Sequence, residues 1–125
     1  MKGKLLFGLL TCLILAGSSC STEEIAPSLI LPANCSVDSG AVMSYANDIQ
    51  PIVLSACVTN CHFAGSGIYD YSIYEVLADR IRSGRLEERL LMKLEEPLHM
   101  PQGFNMDSCN LYKIRLWISQ GFKEN

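Results

Sequence analysis

Four stretches of this chain repeat apolar residues at helical spacing. Ile49, Ile52 and Val53 stand at i, i+3 and i+4, one face of a helix. Asn47 is placed to cap it, Asp48 suits the positive end of its dipole, and Pro51 falls in the first turn. Ile73, Val76, Leu77 and Ile81 form a second stripe, behind Ser72-Ile73-Tyr74-Glu75, which fits a capping box. Gly84 reads as a stop. Leu86, Leu90, Leu91 and Leu94 make a third amphipathic segment, with Glu87, Glu88, Arg89 and Lys93 solvated. The fourth carries Leu111, Ile114, Trp117 and Ile118 after a cap at Asp107 or Ser108, and ends at Gly121. Trp117 is a core residue on this reading. The pattern predicts a small all-α domain over residues 44–125.

The start of the chain is patterned differently. Lys2 and Lys4 precede the short apolar run from Leu5 to Leu15, and Ala16-Gly17-Ser18-Ser19 supplies small residues. This is a secretory signal over residues 1–19, too short for a membrane span. It leads into Cys20 in a manner that resembles the bacterial lipoprotein signal, in which the cysteine after the cut is lipidated. Gly17 stands where Leu is usual, and an ordinary soluble export signal is the alternative. Cys12 leaves with the leader. The acidic Ser21-Thr22-Glu23-Glu24 resembles a surface-export signal, but a solvated tether explains it as well. Residues 21–43 hold Pro27, Pro32, Gly40 and several serines without a sustained period, so residues 20–43 read as a lipidated tether and linker, with one short extended piece at Leu29-Ile30-Leu31.

Of the 125 residues, the part after the linker is a single domain at the small end for a self-sufficient core. Such a domain usually needs a staple. Loss of Lys2 and Lys4 takes the formal charge from −3 to −5. The remaining basic residues all lie at or after Arg80, among acids, which leaves no basis for nucleic-acid binding. Arg80, Arg82, Arg85 and Arg89 are candidates for a docking patch, and their interleaved acids favour a plain solvated face.

The chemistry concentrates in Cys57-Val58-Thr59-Asn60-Cys61-His62. Two cysteines followed at once by histidine read as a haem-attachment site, usually written C-x-x-C-H. Each thiol adds to one haem vinyl group, and the imidazole reaches the iron from one face. This chain has one extra residue between the cysteines. Helix positions three or four apart differ by about 60° or about 40° in azimuth, so either spacing keeps both sulfurs on one side. The longer one needs a local loop or bulge. A structural disulfide between the two cysteines and a zinc site are the competing readings. Zinc needs four ligands as a rule, and no second metal-type pair is visible.

Ile49-Gln50-Pro51-Ile52, then Cys57 to His62, then His99-Met100-Pro101-Gln102-Gly103, then Ile114-Arg115-Leu116-Trp117-Ile118 resemble the single-haem c-type cytochrome domain over roughly residues 44–122. The resemblance implies a cytochrome c-like helical fold around one covalent haem. Carried over by position, Cys57 and Cys61 hold the haem, His62 is the proximal iron ligand and Met100 the distal one. Met100 sits in a loop beside Pro101, with Gly103 allowing close backbone approach. His99 is its rival, and Met106 and an open site are further alternatives. Met92 reads as packing.

Cysteine accounting completes the picture. With Cys12 discarded, Cys20 lipidated, and Cys57 and Cys61 on haem, Cys35 and Cys109 remain. Export places them where disulfides persist, and a bridge between them would pin the linker to the last helix; two free thiols are the alternative. The expected function is that of an electron carrier rather than an enzyme, lipid-anchored to a bacterial membrane facing the periplasm or cell surface, with redox proteins as partners. The alternative is a haem-free, disulfide-stabilised lipoprotein acting as a binding or assembly module.

Overall fold

The computed structural model describes residues 29–38 and 40–125. The leader, the lipidation candidate Cys20 and the acidic Glu23-Glu24 lie outside them. Every regular element among the described residues is helical. The first helix, α1, is three abutting pieces, Tyr45–Ile49, Gln50–Val53 and Leu54–Val58. Three more follow: α2 over Tyr74–Arg82, α3 over Arg85–Leu91 and α4 over Ser108–Ser119.

Helix α1 begins two residues before its expected cap. Ser44 caps it, its hydroxyl accepting from the Asn47 N–H, while the Asp48 carboxylate accepts from the Ser44 N–H at 2.9 Å. Asn47 therefore lies inside the first turn. Pro51 has no N–H to donate and crowds the carbonyl four residues back. The turn before it is wound wide: the Gln50 N–H reaches the Tyr45 carbonyl, five residues away. Ile49, Ile52 and Val53 are all buried, as the stripe requires.

Helix α2 starts without the expected capping box. The Ser72 hydroxyl and N–H both go to the Asp70 carboxylate, so Ser72 serves a turn instead, and Glu75 reaches Arg82. Leu77, Ala78 and Ile81 form the buried face, while Ile73 is exposed. Gly84, at φ 71°, breaks the chain between α2 and α3. Its left-handed backbone strongly favours glycine. Helix α3 buries Leu86 and Leu90 and ends at Leu91. Leu94, expected in the same helix, lies beyond it and is exposed. There the Lys93 N–H turns to the Glu96 side chain and the Glu96 N–H returns to the Lys93 carbonyl, which substitutes a turn for the next helical bonds.

Helix α4 is capped by Asp107, whose carboxylate accepts from the Cys109 and Asn110 N–H groups at 3.0 and 3.1 Å. It is covered on more than the one face expected: Tyr112 and Leu116 are buried along with Ile114 and Trp117, and Leu111 and Ile118 are half-buried. The extra cover comes from the segment expected as linker. Cys35 forms a disulfide with Cys109. Further along, the Gln120 amide donates to the Ala41 carbonyl at 2.7 Å and accepts from the Met43 N–H at 2.9 Å. Cys35, at one end of α4, and Ala41 and Met43, at the other, are thus fixed to that helix.

Trp117 organises the packing. It stacks on Tyr45 of α1 with centroids 5.5 Å apart, meets Tyr74 and Phe122 edge-on, and donates its indole N–H to the Lys123 carbonyl. Such ring pairs add stabilisation beyond area burial. The tail after α4 folds back: the Asn125 main-chain oxygen accepts from the Ala46 N–H at 3.0 Å, and the Asn125 side chain from the Tyr45 N–H. Helix α3 is tied to α4 by the ion pair of Glu87 with the well-shielded Arg115, at 2.8 Å.

Candidate haem-type cavity

The winding of α1 decides how its last residues are presented. The Thr59 N–H donates to the Leu54 carbonyl and the His62 N–H to the Cys57 carbonyl, at 3.0 and 2.9 Å. Both bonds span five residues instead of four. A wide turn of this kind holds one more residue than an α-turn. The Thr59 hydroxyl secures the first of them, donating to the same Leu54 carbonyl. The extra residue between Cys57 and Cys61 is taken up in the backbone, which is the local bulge the spacing called for. Cys57, Cys61 and His62 line one cavity.

His62 is held on several sides. The ring is buried, and its Nδ1 lies 2.9 Å from the Tyr69 carbonyl. A carbonyl only accepts, so Nδ1 carries a proton, and in the neutral ring Nε2 is then the nitrogen with the lone pair. This is the tautomer of a histidine ready to bind a metal through Nε2, with its other nitrogen oriented by a backbone oxygen. Tyr71 stacks on the ring at 4.1 Å and 11°, and its N–H donates to the His62 carbonyl. The connection after His62 folds back to supply both contacts, turning at Gly65 and Gly67, which have φ of 85° and 80°.

The cavity has a volume of about 350 Å³, within the ordinary range for a ligand pocket. Its lining is mostly apolar. Ile68 and Tyr69 contribute from the connection, Leu86 and Leu90 from α3, and Met100, Pro101 and Phe104 from the loop before α4. The Met100 N–H donates to the Arg89 carbonyl at 3.0 Å, which fastens that loop to the end of α3. Of the ligand candidates read from the sequence, Met100 lines the cavity. His99 is buried outside its lining, and its Nδ1 has no partner. Met43 is in the core, Met106 packs against it and Met92 caps α3.

Cys57 and Cys61 are free thiols, the first partly buried and the second exposed. The Cys57–Cys61 bridge of the alternative reading is not formed. Nor, among the described residues, do three His, Cys, Asp or Glu side chains converge as a zinc site requires. Burial, helped by Cys61, pushes the Cys57 thiol up to about 11. About one molecule in ten thousand then carries the Cys57 thiolate at neutral pH. A raised pKa favours folding below the unfolded thiol's own range, and that contribution is lost as pH climbs from 9.0 to about 11. In haem-free protein, iodoacetamide is expected to modify Cys61 at pH 7.5 and to leave Cys57 largely unmodified until the pH approaches that upper value. Mass mapping of the labelled peptides against pH checks it; equal labelling at pH 7.5 would contradict the burial.

Three of the four arginines read as a surface face line the cavity: Arg80, Arg85 and Arg89. Arg82 turns away to Glu75 and Asp79. Arg80 lies over the Tyr69 ring at 4.3 Å, and its charge and hydrogen bond partly offset the burial that raises the Tyr71 hydroxyl's pKa. The helical register held this signal. Arg85 and Arg89 are four apart and flank Leu86 and Leu90, so they border the buried stripe instead of opposing it. The cavity therefore brings together two cysteines, a histidine and a methionine, with arginines beside them. No protein family, curated protein or solved structure matches this chain.

Proposed function

We propose that this protein is a single-haem electron carrier of the c type, exported and held at a bacterial membrane through a lipid on Cys20. One observation carries the reading: Cys57, Cys61, His62 and Met100 line the same largely apolar cavity, and the Tyr69 carbonyl orients the His62 ring through Nδ1. The donor set fits haem. Two thiols on one stretch of backbone match two thioether links, and a nitrogen and a soft sulfur match the two axial positions of an electron-transfer iron. When bound, the haem supplies a one-electron couple.

The protein's own groups do the rest. Tyr69 holds the proton on Nδ1 and Tyr71 fixes the plane of the ring. The bond from the Met100 N–H to Arg89 sets the position of the thioether. Leu86, Leu90 and Phe104 give the site apolar walls. No substrate bond is made or broken, and the partners are redox proteins that give and take the electron.

Expression in a host with cytochrome-maturation machinery tests this. A denaturing gel stained for haem peroxidase activity is expected to show a band that persists through denaturation, with a mass increase of one haem. Replacing Cys57 and Cys61 together by alanine is expected to abolish it. A colourless parent protein with the mass of polypeptide and lipid alone would overturn the proposal in favour of the haem-free binding module.

A further inference from the structure

His62 takes two of its ring contacts from one short connection. The Tyr69 carbonyl lies 2.9 Å from Nδ1, and the Tyr71 ring stacks on the imidazole at 4.1 Å. That connection has little support of its own. Residues 63–65 and 67–69 are exposed, and it turns at Gly65 and Gly67. Arg80, half-buried on α2, reaches both tyrosines. Its guanidinium lies over the Tyr69 ring at 4.3 Å and hydrogen-bonds the Tyr71 hydroxyl. Among the described residues it joins no ion pair, whereas Arg82, two residues on, gives its charge to Glu75 and Asp79. One side chain of a neighbouring helix thus grips both residues that hold the imidazole.

We infer that Arg80 is a positioning residue for His62, acting through Tyr69 and Tyr71. That His62 binds iron rests on the haem reading above; the grip itself lies wholly within the chain. Guanidinium suits the task, because its flat face stacks on an aromatic ring while its edge donates to another group. The cation–π contact fixes where Tyr69 sits, and with it the carbonyl that orients Nδ1. The bond to the Tyr71 hydroxyl holds that ring flat against the imidazole. Because α2 is anchored in the core by Leu77, Ala78 and Ile81, the grip transfers the rigidity of a packed helix to an exposed turn.

The test reads hydrogen–deuterium exchange of the His62 Nδ1–H by NMR, in the full chain from a host with maturation machinery. Haem staining is done on the same samples. A colourless parent ends the carrier reading, and exchange still decides the grip, since its contacts need no pigment. Arg80→Gln is expected to speed exchange about tenfold, the combined effect of one cation–π contact and one hydrogen bond. The backbone N–H of Ile114, buried on α4, should keep its rate, which separates local loosening from global unfolding. Tyr71→Phe keeps the ring and loses only the hydroxyl, so it should give part of the increase. Arg80→Gln should add little to a Tyr69→Leu/Tyr71→Phe background, because both its contacts are already gone. Arg80→Lys, which retains a charge and a donor, restores most of the protection, and Arg82→Gln keeps the parent rate. An unchanged rate in Arg80→Gln would overturn the grip. So would an equal acceleration at Ile114 or in Arg82→Gln, or a full Arg80→Gln effect in the doubly substituted background, which would mean that Arg80 acts on another group. Should Arg80→Gln not fold, Tyr71→Phe decides alone, an unchanged rate there counting against the grip.

Discussion

Carbon monoxide binding to the reduced, haem-loaded protein is expected to go from undetectable in the parent to complete when Met100 is replaced by alanine. The change removes one thioether and leaves its support in place. The loop is held by its own backbone bond to Arg89, and the neighbouring Pro101 is buried, so neither anchor depends on the methionine side chain. The same variant should show a lower midpoint potential, because a methionine ligand raises it. His99→Ala is the control. His99 is buried outside the cavity lining, and its loss should leave carbon monoxide binding at the parent's level while costing some stability. Optical titration of the dithionite-reduced proteins reads both. The opposite outcome, opening on loss of His99 and none on loss of Met100, would reverse the ligand assignment.

Removing the Cys35–Cys109 disulfide should produce the largest loss of stability of any change remote from the cavity. The bridge closes a separation of 74 residues, worth about 4 kcal/mol in the chain-entropy account. A domain of this size has about 5–15 kcal/mol in total, so the loss is a large share. Cys35 is itself buried, and the bridge sits at the start of α4, whose other end is held to the same segment by Gln120. With Cys35→Ala and Cys109→Ala together, the urea midpoint of the haem-loaded protein should fall strongly while the haem stain remains. A midpoint unchanged within error would show that the packing of Met43 and the Gln120 bonds suffice without the cross-link.

Helix positions were legible from periodicity because burial obeys it: Ile49, Ile52, Val53, Leu77, Ile81, Leu86, Leu90, Ile114 and Trp117 all fell inside. What escaped was decided by competing hydrogen bonds or by distant chain. Ser72 had an acidic neighbour, Asp70, closer to hand than the α2 backbone. Leu94 lost its helix to the turn at Glu96. Tyr112 and Leu116 were misjudged because α4 alone does not reveal that Cys35, Ala41 and Met43 are bonded to its two ends. The grouping of Cys57, Cys61, His62 and Met100 about one cavity followed from the resemblance those motifs carry. The arginine rim was not read, since charge on a helix is usually solvated, and only the fold brings α2 and α3 to the same cavity.

The wide winding at the end of α1 has a bearing on spacing. Because the bond from His62 to Cys57 spans five residues, the surplus amino acid is stored as a loosened coil and displaces nothing downstream. A single codon therefore separates this arrangement from the shorter motif, and the difference is absorbed by the pitch of one turn.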